Sequence, residues 1–583
     1  MGDREPIKLD DSSYDAIWER ALTRLKGRGD WWSHREISDP GITLMEMWAV
    51  LCDMQSFYLD QIQESHYRGF LKLLGIRPDN GSCAGVWIQF QNVRQDCILP
   101  AGVRMLADTT VFETTEEVEL TANRICGFFR GDGGRAADML LPRKSRLELK
   151  KAEMLFSFLL KRPLGAGHKL SLFVLLDETG RRNPPGQAFS PLVRLGWEYW
   201  TEEGWRAAKV LRDETLGLFY SGCVCLLTDT PMRAREGRGY EIRCRILEGE
   251  YDEMPVLYKI SLNAARVMQR DTCCCQEYGV FSRSCSRVEL KSYLGKTGLI
   301  RVFARQGKEL WREITGDCGI GPPIGPGRQK RYVYFKGEAE VKFVCSREGF
   351  EEEYGPCPVT GVTGQRIPLP WDNILRDSVE LMLPMGGPMG GPMEEEGLYR
   401  EYKCADPEEV RLENAWHWQD GEGSIVLGDG RHGDIPPASG KGLLLTSLAL
   451  FQGEKGNVSI GRIRCLERPE LFHQITCSNP LAGKGGRGRL QPSAQFAEAA
   501  DELKKPNRIV TCEDAERLAG EVPGLLVKST KARWQGGMLV VTIEPKVTLE
   551  SGYCRQQYIR MAERYLEQYR PAGMGLKTEL REE

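Results

Sequence analysis

The sequence predicts an α+β multidomain chain: an N-terminal helical region, β-rich central modules and a C-terminal two-layer α/β sandwich. Three observations predict it. Apolar residues recur at helical spacing from Tyr14 to Leu74. From about Val86 the texture changes to short alternating runs punctuated by glycine and proline. Beyond Thr511 helix and strand patterns alternate. The chain has 583 residues, a length that corresponds to roughly four domains of about 150 residues each.

The first helix is predicted by Tyr14, Ile17, Trp18, Ala21, Leu22 and Leu25, which share one helix face, and Gly27 and Gly29 stop it. The second starts at Asp39-Pro40-Gly41, a capping carboxylate followed by a proline that misses no amide donor at the first helical position. Its apolar stripe is Leu44, Met47, Trp48, Leu51, Met54, Tyr58 and Ile62. A third helix carries Tyr67, Phe70, Leu71 and Leu74 and ends at Gly75, with Pro78 beyond. Two readings fit these stripes. Either the helices bury them on one another, or Trp18, Leu22, Trp48, Met54 and Tyr58 dock a partner, because three short helices make a small core.

Strands are expected at Val86–Val93, Val103–Leu106, Leu170–Leu176, Leu195–Trp200, Cys223–Leu227, Tyr240–Leu247 and Tyr332–Phe335, in β-sandwich-like modules. The Met-Gly-Gly-Pro stretch from Pro384 to Pro392 cannot build a packed core and reads as a linker. In the last part, Thr511 and Asp514 form a capping box that opens a helix with Ala515, Leu518 and Ala519 inward. Strands Leu526–Arg533 and Met538–Glu544 follow, then a helix carrying Tyr558, Met561, Ala562, Tyr565, Leu566 and Tyr569, then a strand Leu576–Leu580. The expectation is an antiparallel sheet covered on one face by helices. The domain boundaries expected on this basis are 1–80, 81–150, 151–383, 384–397, 398–480 and 481–583.

Charge and composition exclude several function classes. Lysine and arginine number 79 and aspartate and glutamate 82, a net charge of −3, which gives no overall pull toward nucleic acid. The apolar runs are too short to span a bilayer, and no apolar segment follows the N-terminal charges, so a soluble protein made in the cytoplasm is expected. The 19 cysteines contain no C-x₂-C pair and read as reduced thiols. The run Cys273-Cys274-Cys275 is the basis of one rival reading, a redox or soft-metal protein.

Motifs that would carry chemistry fail on context. Gly428-Asp429-Gly430-Arg431-His432-Gly433 fits the dinucleotide-loop letters, but Pro436-Pro437 forbids the helix that must follow. Gly428, Asp429, Gly430, Gly456 and Asn457 are therefore read as turn residues, with glycine supplying positive φ. Gly483 to Arg489 lacks the Ser or Thr of a phosphate loop; Lys484, Arg487 and Arg489 are read as a flexible surface loop that orders against a partner. The six histidines form no ligand pair at helical spacing, and no serine stands in G-x-S-x-G. No catalytic, metal or cofactor residue is assigned. The 13 tryptophans keep a second rival open, a carbohydrate-binding or glycan-cleaving multidomain β protein.

The ordered motifs of the chain resemble a known family. Ser38-Asp39-Pro40-Gly41-Ile42-Thr43-Leu44-Met45-Glu46-Met47-Trp48-Ala49 and the run Tyr67 to Gly75 are similar to the N-terminal signature of baseplate J-like proteins. Pro100-Ala101-Gly102 with Phe112-Glu113-Thr114 follows in the family's order. Trp197-Glu198-Tyr199-Trp200, Gly204-Trp205, Asp213-Glu214-Thr215 and Gly249-Glu250-Tyr251 with Asn263-Ala264 look like its inserted β module. Ile425 to Gly430, Gly453 to Val458, Asn479-Pro480 and Arg508 to Thr511 with Pro523-Gly524 resemble its later hairpins and C-terminal domain. Leu427 stands where the family usually has an aromatic residue, the Met-Gly-Gly-Pro repeat looks like an insertion, and the Gly483–Arg489 loop is more basic than the pattern.

The resemblance implies a non-enzymatic baseplate wedge component of a contractile phage tail or injection system. Such proteins form a six-fold ring around a hub and spike and couple target recognition to sheath contraction. The implied partners are a second wedge subunit of the same family, a small baseplate protein of lysozyme-like fold, hub, spike and tube-initiator proteins, and the sheath. Neither nucleic acid nor direct membrane insertion is implied. Assembly would be cytoplasmic, before incorporation into the particle.

Overall fold

The computed structural model describes residues 13–26, 38–60, 63–131, 147–149, 154–178, 182–185, 189–281, 285–307, 310–324, 330–336, 339–355, 357–385, 397–405, 413–419, 423–505 and 507–581. Residues 386–396, which hold most of the Met-Gly-Gly-Pro stretch, and Gly27, Gly29 and Ile62 lie outside them. Eight α-helices occur among the described residues: α1 (Tyr14–Lys26), α2 (Pro40–Asp60), α3 (Glu64–Leu73), α4 (Tyr293–Thr297), α5 (Phe350–Tyr354), α6 (Pro492–Leu503), α7 (Cys512–Gly520) and α8 (Gly552–Glu567). The rest of the regular structure is strand, apart from short 3-10 turns such as Thr315–Asp317 and Gly453–Gly456.

The chain divides into two compact units. One comprises residues 1–79 and 490–504, the other 80–489 and 505–583. The first unit is helical. Asp39 caps α2 as its sequence demands, its Oδ1 accepting the Gly41 amide at 2.7 Å and the Ile42 amide at 3.2 Å. The helix α6, which the sequence reading did not anticipate, belongs to this unit and packs on α3. The Phe496 ring lies 5.6 Å from Tyr67 and 5.8 Å from Phe70. Gln495 donates to the Arg77 carbonyl at 2.6 Å and accepts from the Asp79 amide at 3.1 Å. The stretch 481–583, expected as one domain, is thus shared between the two units.

The second unit is organised around a closed six-stranded barrel: Gly85–Gln91, Ala264–Met268, Thr110–Thr114, Arg104–Ala107, Cys465–Leu466 and Thr476–Ser478, in that order round the ring. Val86, Ile88, Phe90, Met105, Phe112 and Val267 fill it, supplied by alternate positions of each strand. Three sequence-distant pieces make this one barrel, so everything between them is inserted. The first insertion, between the barrel strands ending at Thr114 and beginning at Ala264, holds two five-stranded sheets. Phe156, Phe158, Trp197, Tyr199, Leu172 and Val224 pack between these sheets as the core of a β-sandwich.

The second insertion, between Met268 and Cys465, holds a ten-stranded sheet. In it the short strand Trp311–Glu313 pairs with both Leu299–Arg305 and Leu398–Cys404. Seven of the strands therefore close into a second ring. Phe303, Trp311, Val344, Met382, Tyr399 and Leu444, from six of those seven strands, pack together inside it.

The C-terminal module follows its sequence except in one pairing. Thr511 and Asp514 make the reciprocal capping box that opens α7, with amide-to-side-chain bonds of 3.1 and 2.8 Å. Ala515, Leu518 and Ala519 are buried beneath it, and Tyr558, Ala562 and Leu566 beneath α8. The strand Met538–Pro545 pairs antiparallel with Val527–Gln535, but parallel with Gly575–Leu580. The sheet is mixed, not antiparallel. A helix stands between those last two strands, and a crossover of that kind returns the chain in the same direction.

Side-chain hydrogen bonds tie the ends of each insertion at the barrel. For the first, the Asn263 amide accepts from the Thr121 N–H at 2.8 Å and donates to the Thr121 carbonyl at 2.7 Å. For the second, Gln269 Oε1 accepts the Gln452 amide at 2.7 Å. Beside it the buried Glu113 accepts the Thr272 amide at 2.9 Å and the Thr272 hydroxyl at 2.5 Å. Arg270 lies 3.3 Å from the same carboxylate, and Arg104 bridges Asp271 at 2.7 Å and Glu467 at 3.1 Å.

Burial pushes the Glu113 carboxyl up to about 7, outweighing the Thr272 hydrogen bonds and the Arg270 charge. The unfolded chain releases that proton near 4.5 and the folded chain near 7. Between those values the folded state binds more proton, so this group's contribution to stability falls as pH rises and is constant above. The Glu113→Gln variant is expected to lose that dependence. Urea unfolding of both proteins from pH 4.5 to 8 should show wild type losing about 3 kcal/mol relative to the variant across the window.

Candidate protein–protein interface

The surface that stands out is on the helical unit. The helix α2 reads PGITLMEMWAVLCDMQSFYLD, apolar on nearly every side. A helix of that composition is ordinarily buried all round. Here only Ile42, Ala49 and Ser56 of its described side chains are buried, a seam repeating every seven residues. The helix α2 packs against α1, and the pair is pinned by the Tyr14 amide, which donates to Asp53 Oδ1 at 3.0 Å. A carboxylate so placed also favours the N-terminus of α1.

Most of the other described apolar side chains of α2 are solvent-facing, Met45 being half-buried. Trp48 and Tyr58 are each 67% exposed, Phe57 62% and Met54 48%; Leu44, Met47 and Leu51 join them. On α3, Phe70 and Leu73 are exposed as well, as is Leu74 just past its end. Exposed apolar side chains in this number make the helical unit's surface the candidate interaction site. Of the residues expected at the interface, Trp48, Met54 and Tyr58 stand on it. Trp18 and Leu22 are half-buried on α1, so they support the helix pair from one side. Phe57, Leu51 and Leu44 are equally exposed. The stripe's own spacing already held Leu44 and Leu51, whereas Phe57 falls outside it.

The helices α1 and α2 and the first turns of α3 are also where a family resemblance is found. Residues 13–69 match the family model described as bacteriophage baseplate protein, N-terminal domain. Among solved structures, the chain is similar to one from the type VI secretion system TssK–TssF–TssG baseplate subcomplex. That similarity has 10% identity, covers 92% of this chain and 96% of the other, and gives a TM-score of 0.36. A chain of the anti-feeding prophage baseplate is similar at 10% identity over 96% of this chain and 70% of the other, with a TM-score of 0.24. No curated protein matches the chain in sequence at a significant level.

The other residues singled out in the sequence have structural positions of their own. The loop Gly483–Arg489 is held by its backbone. The Gly85 amide donates to the Lys484 carbonyl at 2.9 Å, the Arg487 amide to the Ser82 carbonyl at 3.0 Å, and the Asn457 and Gly486 groups exchange bonds of 2.7 and 2.9 Å. It is not the flexible loop expected; Gly483 and Gly486 are there for close approach, since a Cβ would lie 2.6 Å from the Gly456 carbonyl oxygen at the first and 2.3 Å from the Gly453 carbonyl oxygen at the second. Lys484, Arg487 and Arg489 remain exposed on it. Gly456 likewise needs proximity rather than positive φ: its Cβ would meet Ala84 at 2.7 Å. Gly430, at φ 83°, does use the left-handed region. Asp429 closes that turn by accepting the Arg431 and His432 amides at 2.8 and 2.7 Å, which hold its carboxyl well below the usual range.

The two rival readings meet specific geometry. Trp311 lines an open concavity of about 1180 Å³ with Arg305, Lys336 and Arg400. Its indole is only 2% exposed, and Arg305 and Lys342 sit 4.4 and 5.1 Å from its ring centroid. Its faces are occupied, so no sugar can stack there. Cys273 and Cys274 are buried on the strand Asp271–Phe281, where burial pushes the Cys273 thiol up to about 12. Among the described residues no three His, Cys, Asp or Glu side chains gather as metal ligands. No helix among them is long and apolar enough to cross a membrane.

Because the Trp48 side chain is largely exposed, Trp48→Ala is expected to change stability by less than about 0.5 kcal/mol. Ile42→Ala, on the buried seam, should cost about 2–5 kcal/mol. Circular dichroism with thermal and urea unfolding distinguishes the two.

Proposed function

We propose that the chain is a structural, non-enzymatic component of a baseplate in a contractile phage tail or related injection particle, acting as a wedge subunit. The observation that carries this reading is the coincidence of two features. The segment similar to a baseplate N-terminal domain is the segment whose central helix exposes most of its described apolar side chains. A surface of that kind is satisfied by helices of another subunit, packed as ridges into grooves. We assign the second wedge subunit to it, with hub, tube and sheath proteins as further neighbours of the assembled six-fold ring. The large β-rich unit, knit by buried ion pairs and fully packed cores, is suited to transmit force rather than to hold a substrate. On this reading assembly takes place in the cytoplasm, and the exposed cations Lys484, Arg487 and Arg489 lie on a fixed surface that meets a neighbouring protein.

The test is affinity purification through a tag on the full chain, followed by negative-stain electron microscopy. Tail-like or baseplate objects, with tube or sheath proteins co-purifying, are expected. A lone monomer overturns the reading. The triple variant Trp48→Ala, Leu51→Ala, Met54→Ala should fold normally and yet lose at least tenfold in recovered particle, since exposed aromatic and apolar anchors dominate interface energy.

A further inference from the structure

Among the described strand pairs, one places two cysteines directly opposite each other: Cys275 of Asp271–Phe281 faces Cys345 of Ala339–Ser346 in an antiparallel pair. Every other cysteine in a described ladder faces a different residue type. The register fixes the geometry further. Two positions away, the Arg347 amide donates to the Cys273 carbonyl at 2.9 Å. Hydrogen-bonded and non-hydrogen-bonded positions alternate along such a ladder, so Cys275 and Cys345 occupy a hydrogen-bonded position, with Cα atoms about 5.5 Å apart. That separation lies within the range a disulfide spans.

Directly opposed residues put their side chains on one face of the sheet, and both sulfurs do lie in one cluster with Leu290, Val302, Val333 and Phe343. The two thiols differ in character. Cys345 is fully buried, whereas Cys275 is partly exposed. The neighbouring Cys345 holds the Cys275 thiol below the usual value against the burial that would raise it, whereas the same pairing together with burial holds Cys345 well above it.

We propose that Cys275 and Cys345 are a redox-responsive pair, oxidised by a peroxide to a disulfide that staples two neighbouring strands of the seven-stranded ring. The Cys275 thiolate attacks one peroxide oxygen, the O–O bond breaks, and hydroxide leaves, giving a sulfenic acid at Cys275. The Cys345 sulfur then attacks that sulfenic sulfur; the S–O bond breaks, the S–S bond forms, and the Cys345 proton leaves with the hydroxyl as water. The two S–H bonds are thereby replaced by one S–S bond, and the two electrons that sulfur gives up reduce one peroxide to two waters, the hydroxide taking up the proton lost by the Cys275 thiol. The bridge closes a loop of 69 intervening residues, from 276 to 344, and so restricts the unfolded chain. At a hydrogen-bonded position the Cβ atoms stand farther apart than a relaxed disulfide prefers, which makes the bridge readily reducible.

The experiment uses the full chain, treated with hydrogen peroxide under native conditions. Remaining thiols are then blocked in denaturant with N-ethylmaleimide and mapped by peptide mass spectrometry. A Cys275–Cys345 cross-linked peptide is expected as the dominant product, reversed by dithiothreitol, with a raised thermal midpoint in the oxidised protein. In Cys345→Ser, Cys275 should stall as a sulfenic acid trapped by dimedone; in Cys275→Ser, Cys345 should stay maleimide-labelled. Full labelling of Cys345 in oxidised wild type overturns the proposal, as does Cys275 linked to another cysteine. Where circular dichroism shows a serine variant unfolded, the wild-type map alone decides.

Discussion

The β-rich unit depends on one constraint: a barrel assembled from three separated pieces of chain must bring the ends of each insertion to neighbouring positions and hold them. Asn263 does this for the sandwich insertion by bonding both backbone groups of Thr121. Gln269 and Glu113 do it for the ring-bearing insertion through Gln452 and Thr272. Asn263, Gln269 and Glu113 are buried polar groups, so losing one leaves the backbone group it bonds desolvated and unpaired. The insertions can grow or vary in their distal parts, because what the barrel requires of them is confined to where they leave and return. Asn263 sits at φ 58°, a left-handed conformation that asparagine tolerates better than most side chains.

The same logic of satisfaction and its absence separates the two units. In the β-rich unit, large aromatic side chains such as Phe156, Trp197, Trp311 and Trp416 are enclosed. In the helical unit, Trp48 and Tyr58 are not, although their sequence context is no less apolar. Two helices paired along a seam of Ile42, Ala49 and Ser56 bury one side of α2 and no more. The exposure is a matter of geometry, since a helix has more faces than one short partner can cover.

Much of the local structure was legible in the sequence. Asp39-Pro40 and the Thr511–Asp514 box mark helix starts because capping chemistry is local, and the strands around Leu170, Cys223 and Tyr240 follow from period-two alternation. What escaped was non-local. Closure of the barrel rests on strands as short as Cys465–Leu466, and closure of the ring on Trp311–Glu313, segments too brief to carry a pattern. The helix α6 was missed because Gln495, Phe496 and Ala499 give only a few inward positions, and its partner α3 is far away in sequence. The parallel pairing of the last strand was available from the helix that precedes it, a topological inference rather than a pattern. For the candidate interface, Trp48, Met54 and Tyr58 came from the helical stripe. Phe57 lies off that stripe, and only the structure shows how little of α2 is covered.

The helix α6 has a consequence for how the protein comes into being. Its contacts with Tyr67, Phe70 and Arg77 complete a unit that begins near the start of the chain. The 418 residues from 74 to 491 separate the end of α3 at Leu73 from the start of α6 at Pro492. At ordinary rates of translation the first helices emerge roughly 20–80 s before the segment that completes them. During that interval α2 is presented to the cell with its apolar surface open and its unit unfinished. Newly made chains are therefore exposed to chaperones, or to early capture by an assembly partner, before the ribosome has finished with them.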